Sequence, residues 1–186
     1  MENTICVNRT CCFFGHRKID VTPGLKKVLC YIVEGMILTD KVDTFLFGSK
    51  SEFDSLCLDV VTCLKEKYPQ IRRIYVRAEF EHIEDDYVDY LLDIYDGTYL
   101  PKRVEGAGRT SYVQRNREMI DKSKFCIAYY KGSYVLPKGK SGTKIAYEYA
   151  MRKKKKIVNL ALRSVEIVEN ENYLMLCETH NPSSKR

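Results

Sequence analysis

Short apolar runs alternate with longer amphipathic segments along the chain. The apolar runs have the length of buried strands and predict them at 10–14, 44–47, 71–76, 125–130 and 156–160. Between these runs, apolar residues recur at helical spacing and predict helices at 24–37, 51–68, 84–96, 111–122 and 142–155. Gly and Pro mark the connections, including a loop with a short strand at 97–110 and a loop at 131–141.

Strands that alternate with helices along a whole chain predict a parallel sheet covered by helices on both faces. We therefore expect an α/β fold of Rossmann type with a mostly parallel sheet. A single domain is expected over residues 1–165, and the weakly patterned residues 166–186 are predicted to form a partly flexible C-terminal extension. Such sheets bind ligands at the carboxyl ends of their strands, so a site is expected in the loops that follow the strands.

The composition predicts a chain that buries a core and stays out of the membrane. Of its 186 residues, 45% are hydrophobic and 30% are charged, and the formal net charge of +6 suits an anionic ligand. No apolar run reaches the roughly 18–20 residues that span a bilayer. The start of the chain lacks the basic residues of a secretory signal. We expect a cytoplasmic protein without membrane contact.

The eight cysteines include no Cys-x-x-Cys pair. In a reducing cytosol they are expected to be free thiols, several of them buried within the apolar runs. A zinc site formed by Cys11, Cys12 and His16 is the alternative, but it lacks a second pair of ligands. No metal or cofactor is therefore predicted.

The loop after the first predicted strand carries residues suited to an anion. Gly15 permits an unusual backbone turn there, and His16 and Arg17 follow it. The Arg17 guanidinium offers several donors to a phosphate or carboxylate group. An ordinary turn with exposed basic side chains is the competing interpretation.

The loop after the second predicted strand leads into a helix. Gly48, Ser49 and Ser51 lie where free N–H groups and the helix dipole favour an anion. Ser51 is also a suitable N-cap for this helix, with Asp54 in the first turn. The two roles are compatible.

Two further segments flank the strand predicted at 125–130. After it, Ser141, Gly142 and Thr143 open a helix, where small residues let a phosphate approach the backbone and the threonine hydroxyl can add a hydrogen bond. This segment is not a P-loop, because the spacing of that motif is absent. Before the strand, Arg115 and Asn116 either lie on a polar helix face or point over the strand ends.

No arrangement of nucleophile and base stands out, so no catalytic residue is predicted. Of the three histidines only His16 lies on a strand-end loop, and neither Gly-x-Ser-x-Gly nor His-Glu-x-x-His occurs. The lysine run at 153–156 could bind nucleic acid, but it is more typical of solvated cations that complement a helix dipole. Nucleic acid is therefore not an expected partner.

Four motifs follow one another along the chain: CFFGHR at 12–17, FGS at 47–49 with EFDS at 52–55, RNREMID at 115–121 and SGTKIAYEYA at 141–150. In this order they resemble the SLOG superfamily, which includes the LOG and DprA/Smf branches. The similarity covers roughly residues 9–160. It is greatest to the YpsA/YoqJ-like branch of Firmicutes and their phages.

The resemblance implies a Rossmann-like fold that binds nucleotides or nucleotide-derived signals. It implies that two loops line the ligand. It also implies that a pair of helix residues covers the ligand and that the start of another helix binds its phosphate. The residues concerned are, in that order, Gly15, His16 and Arg17; Gly48, Ser49 and Ser51; Arg115 and Asn116; and Ser141, Gly142 and Thr143.

We therefore expect a binding protein rather than an enzyme. Its ligand would be a cyclic nucleotide or an ADP-ribose-like signal, and it would act as a sensor or as a phage-type protein that sequesters a host immune signal. A tyrosine such as Tyr129, Tyr130 or Tyr134 is hypothesised to stack on the base. The resemblance also implies a homo-oligomer, for which the Tyr-rich stretch 87–99 would supply a contact face.

The chain departs from the family pattern in two places. Lys50 and its neighbours occupy a loop that is richer in glycine in relatives. Ala146 stands where the phosphoribohydrolase branch carries a glutamate, and Glu148 lies about 200° away around the helix, so it is no simple substitute. A hydrolase that cleaves an N-glycosidic or phosphate bond, with Glu148 or Asp54 as its acid/base, remains an alternative. A DNA-processing accessory protein is another.

Overall fold

Strands and helices alternate through the described part of the chain, which in this computed structural model comprises residues 5–78, 85–132 and 141–161. The strands are β1 (Thr10–Gly15), β2 (Thr44–Phe47), β3 (Arg72–Val76), β4 (Gly97–Tyr99), β5 (Phe125–Tyr129) and β6 (Lys156–Asn159). The helices are α1 (Pro23–Leu38), α2 (Glu52–Lys67), α3 (Asp85–Ile94), α4 (Ser111–Asp121) and α5 (Gly142–Arg152). The bounds lie close to those predicted, and the short strand expected within 97–110 is β4.

The six strands form one sheet in the order β4-β3-β2-β1-β5-β6. Every pairing among them is parallel, with Cys12 of β1 opposite Leu46 on one side and Cys126 on the other. The chain runs outward from β1 to β4 and then returns to β5 on the other side of β1. This reversal opens a crevice at the carboxyl ends of the central strands. The prediction of a Rossmann-like α/β fold is confirmed.

Helices pack on both faces of the sheet because successive side chains of a strand point in opposite directions. Cys11 and Phe13 of β1 belong to one apolar cluster, and Cys12 and Phe14 belong to the other. The zinc site considered above is excluded by this alternation, since adjacent residues on β1 cannot reach one ion together.

Serine residues cap the N-termini of α2 and α5. The Ser51 hydroxyl accepts from the N–H of Asp54 at 3.1 Å, and the Ser141 hydroxyl accepts from the N–H of Lys144 at 3.1 Å. Helix α5 ends at Arg152, earlier than the predicted residue 155, because the backbone at Lys154 turns into the left-handed region with φ of 52°.

None of the described helices combines the length and the apolar character that crossing a membrane would need. The predicted C-terminal extension at 166–186, most of the loop at 131–141, and Tyr134 all lie outside the described residues.

Candidate functional site

A cleft of about 1680 Å³ opens at the carboxyl ends of β1, β2 and β3 and beside the start of α5. Helices α3 and α4 also contribute to its walls. All of the ligand-binding residues predicted from the sequence line it: Gly15, His16, Arg17, Gly48, Ser49, Ser51, Arg115, Asn116, Ser141, Gly142 and Thr143. The four predicted segments are distant in sequence, and the fold brings them to one place.

Gly15 is required because the Phe53 ring approaches the backbone closely. A Cβ at this position would collide with the Phe53 ring carbons, and the φ angle of Gly15 is not positive. The prediction of an unusual backbone turn at Gly15 is therefore wrong. The glycine ends β1 in extended conformation and makes room for α2. Burial of Phe53 against the end of β1 fixes where the first loop begins.

His16 connects the first loop to the loop after β5. Its N–H donates to the Tyr129 carbonyl at 3.2 Å, and its Nε2 accepts from the N–H of Lys131 at 3.1 Å. Partial burial lowers the pKa of His16, and the Lys131 charge lowers it further. The imidazole is therefore neutral at pH 7, with Nε2 engaged and Nδ1 carrying the proton.

The chain itself satisfies much of the α2 N-terminus. The Arg17 carbonyl accepts from the Glu52 N–H at 2.9 Å, and the Ser49 hydroxyl accepts from the Ser51 N–H at 3.1 Å. Glu52 and Asp54 also place carboxylates in the first turn, where they complement the helix dipole. This helix start is therefore less suited to an external anion than the sequence suggested.

The α5 N-terminus is the more open of the two. The Thr143 hydroxyl donates to the Gly15 carbonyl at 2.9 Å, which ties this helix to the end of β1. Because the Thr143 hydroxyl is already engaged in this bond, it serves to position the helix. Thr143 would contact a ligand through its backbone N–H. The first N–H groups of a helix, here those of Gly142 and Thr143, point outward from its end and suit a phosphate.

Arg115 crosses the cleft floor. It is 4% exposed, and its Nε donates to Asn116 Oδ1 at 3.1 Å. A Cβ at Gly48 would stand 2.5 Å from Arg115 Cδ and 2.8 Å from Met119 Sδ, so glycine is the residue that lets this side chain pass. The guanidinium lies 5.5 Å from the centre of the Tyr112 ring. The sequence identified Arg115 as a candidate ligand-binding residue but did not predict that its side chain is buried.

Asp54 is a buried carboxyl group in the same floor, with an exposed fraction of 3%. Its Oδ2 accepts from the Ser51 hydroxyl at 3.1 Å, whereas its Oδ1 has no hydrogen-bond partner among the described residues. Burial raises the pKa of Asp54 to about 6, against the opposing effects of the Arg115 charge and the Ser51 hydrogen bond. A carboxyl group that titrates near neutral pH therefore borders the cleft.

The charged lining of the cleft favours anions. Five of its lining residues are cationic and two are acidic: Arg17, Lys18, Lys50, Arg115 and Lys131, against Asp54 and Asp86. Clefts lined by an excess of one charge concentrate counter-ions. Lys18 and Lys131 were not singled out from the sequence, although both follow strand ends and that position was a usable signal.

Several residues considered from the sequence lie elsewhere. Glu148 is 62% exposed at its side chain, faces Lys144 at 3.8 Å and does not line the cleft. Tyr129 is buried, and the Tyr130 ring packs on Tyr147 with centroids 5.0 Å apart. Neither tyrosine lines the cleft, so the stacking role hypothesised for them is not supported by the geometry.

The lysine run at 153–156 lies at the opposite end of the sheet, where α5 ends and β6 begins. Lys153 pairs with Asp121 at 3.4 Å, and the Lys155 ammonium donates to the Ser123 carbonyl at 2.6 Å. These contacts join α5 to α4 and β5. The run therefore has a structural explanation that is separate from the cleft.

Comparison of the chain with protein-family models and with curated proteins gives no match.

Proposed function

We propose that this protein binds a nucleotide-derived anion in the cleft, as a sensor or as a sequestering protein. One observation carries the proposal. Four segments that resemble ligand-binding motifs of the SLOG superfamily converge on one cleft, and the lining of this cleft has more cationic than acidic residues. We infer on the same ground that the chain is a member of that superfamily. The all-parallel Rossmann-like sheet is consistent with this assignment.

The arrangement of donors supports a phosphate near the start of α5. Arg17 is exposed at the cleft edge and carries a fork of N–H donors suited to phosphate oxygens. The helix start supplies backbone N–H groups and the positive end of the dipole. Neutral His16 also lines the cleft, and its Nδ1–H is a donor that adds no charge.

A thermal-shift screen against nucleotides, cyclic di- and trinucleotides and ADP-ribose isomers tests the proposal. At a ligand concentration of about 100 times Kd, binding adds about 2.7 kcal/mol to the free energy of unfolding. For a chain of this size that is a rise of roughly 5–10 °C in Tm. Arg17→Ala is expected to reduce the rise, and Arg109→Ala, an exposed arginine outside the cleft lining, serves as its matched control.

Recovery of the ligand separates the possible roles. Chromatography that returns the compound intact supports a sensor or a sequestering protein. If no compound raises Tm, and Arg17→Ala behaves like Arg109→Ala with every one, nucleotide binding is refuted.

A hydrolase is the second candidate, and the buried Asp54 carboxyl favours it. A group with a pKa of about 6 can donate a proton to a leaving group and take one from water near neutral pH. Asp54 rather than Glu148 is then the acid/base, because Glu148 does not line the cleft. Ala146 is 2% exposed and packed in the core, where it leaves no carboxylate at the position used by the phosphoribohydrolase branch.

Turnover decides between the two candidates. The same nucleotide panel is incubated with the wild-type protein, and products are resolved by chromatography. Cleavage that is lost in Asp54→Asn and retained in Glu148→Gln would establish the hydrolase with Asp54 in the catalytic role. Tight binding without product leaves the binding protein as the function.

A further inference from the structure

The two exposed aromatic side chains of the described residues both line the cleft. Tyr90 of α3 is 54% exposed and Tyr112 of α4 is 60% exposed. The other described tyrosines and phenylalanines are buried or half-buried. Single exposed aromatic residues need no explanation on a protein surface, but two in one concave site with several cations do.

Each of these rings is supported from within the protein. The Tyr90 ring lies beside that of Tyr87, with centroids 6.2 Å apart and an interplanar angle of 24°. The Tyr112 ring has the Arg115 guanidinium 5.5 Å from its centre. The Lys50 ammonium stands 5.2 Å from the centre of the Tyr87 ring. Rings held by such neighbours lose little freedom when a planar ligand stacks on them.

The position of Tyr90 differs from that of the phosphate donors. The start of α5 is tied to the end of β1 by Thr143, whereas α3, which carries Tyr90, ends beside β3, where the Tyr95 ring lies 5.1 Å from that of Tyr75. One strand, β2, lies between β1 and β3. At about 4.8 Å per strand spacing, the two ends of the cleft are roughly 10 Å apart. A cleft of about 1680 Å³ accommodates groups at both ends together.

We propose that Tyr90 and Tyr112 form a ring-binding subsite that takes the nucleobase of the ligand, while the start of α5 holds its phosphate. The inference rests on the proposed function and adds to it the orientation of the ligand. The ring lies at the two tyrosines, and the phosphate lies at the start of α5. Base-bearing phosphates are thereby preferred over phosphates that lack a planar ring.

Two classes of probe test the subsite by isothermal titration calorimetry. AMP and ADP-ribose carry the ring, whereas pyrophosphate and ribose 5-phosphate lack it. Stacking of a base on an aromatic side chain is worth about five- to 150-fold in affinity. Tyr90→Leu and Tyr112→Leu are each expected to weaken the ring-bearing probes by a factor in that range and to leave the ring-free probes unchanged.

Matched variants separate stacking from general damage to the helices. Tyr90→Phe and Tyr112→Phe keep the ring and are expected to keep wild-type affinity. Leu92→Ala removes an exposed side chain from α3 that does not line the cleft, and it is expected to change neither class of probe. Both tyrosines are more than half exposed, so their replacement leaves the core intact.

The results distinguish this inference from the proposed function beneath it. If ring-bearing and ring-free probes bind alike and the leucine variants retain wild-type affinity, the subsite is refuted while phosphate binding stands. If neither class binds the wild-type protein, the proposed function fails and the subsite fails with it. Affinity that depends on the ring and on both tyrosines establishes the subsite.

Discussion

The substitution Asp54→Asn tests the electrostatics of the cleft floor without knowledge of the ligand. Burial raises the pKa of Asp54 from 3.8 to about 6, so the folded protein keeps a proton that the unfolded chain releases at lower pH. A raised pKa contributes stability that is present below the unfolded value and is lost as the pH rises through the folded value. The ionised carboxylate therefore weakens the fold at neutral pH.

The size of the effect follows from the shift of about two pKa units. At about 1.36 kcal/mol per unit, the full contribution is about 3 kcal/mol. Asparagine carries no charge, so the free energy of unfolding of the variant relative to wild type should rise by about 2.5 kcal/mol between pH 4 and pH 7, since the unfolded carboxyl is already partly ionised at pH 4. Asp96 and Asp121, whose pKa values are lowered, are present in both proteins and cancel in this difference.

Urea denaturation followed by circular dichroism measures this difference across the pH range, since the chain has no tryptophan to report unfolding by fluorescence. Asp59→Asn makes the same substitution at an exposed position of α2 and controls for its direct effects. A difference that stays constant with pH, or that grows in favour of wild type, would refute the reasoning. It would mean that Arg115 offsets the burial of the carboxylate completely.

Two further substitutions test how the loops are held. Gly48→Ala places a Cβ 2.5 Å from Arg115 Cδ and should cost about 1–3 kcal/mol by urea denaturation, whereas Gly24→Ala, whose Cβ meets nothing closer than 3.8 Å, should be neutral or slightly stabilising. Thr143→Val removes the hydrogen bond to the Gly15 carbonyl and should cost about 0.5–1.5 kcal/mol, with Thr143→Ser retaining stability. If the Thr143→Val and Thr143→Ser proteins were equally stable, the assigned hydrogen bond to the Gly15 carbonyl would be contradicted.

The strands and helices were predictable because their signals are local. The apolar run at 44–47 coincides with β2, and Ser51 begins α2 in its predicted role as the N-cap. The positions of the loops at one sheet edge followed from the parallel topology alone. The Gly and Pro positions and the hydrophobic periodicity therefore predict most of the fold and the location of the cleft.

The interior of the cleft was less predictable because it depends on how helices rotate against the sheet. Helical periodicity does not reveal that the polar residues Arg115 and Asp54 are both buried. The exposure of Tyr90 and Tyr112 in the cleft was not predicted for the same reason, while the strand residue Tyr129 was considered and is buried. The need for glycine at 15 also comes from a partner distant in sequence, the Phe53 ring.

The ties that hold the cleft loops have a consequence for how such a protein can diverge. The loops are held by the Arg17 carbonyl and by the half-buried Thr143 hydroxyl, whereas the side chains of Arg17, Lys50, Tyr90 and Tyr112 stand exposed at the rim. If the proposed binding function holds, exchange of these side chains should alter selectivity at little cost in folding stability. A variant library confined to the rim should therefore remain folded while its ligand preference changes, which is the property wanted in a scaffold for biosensors.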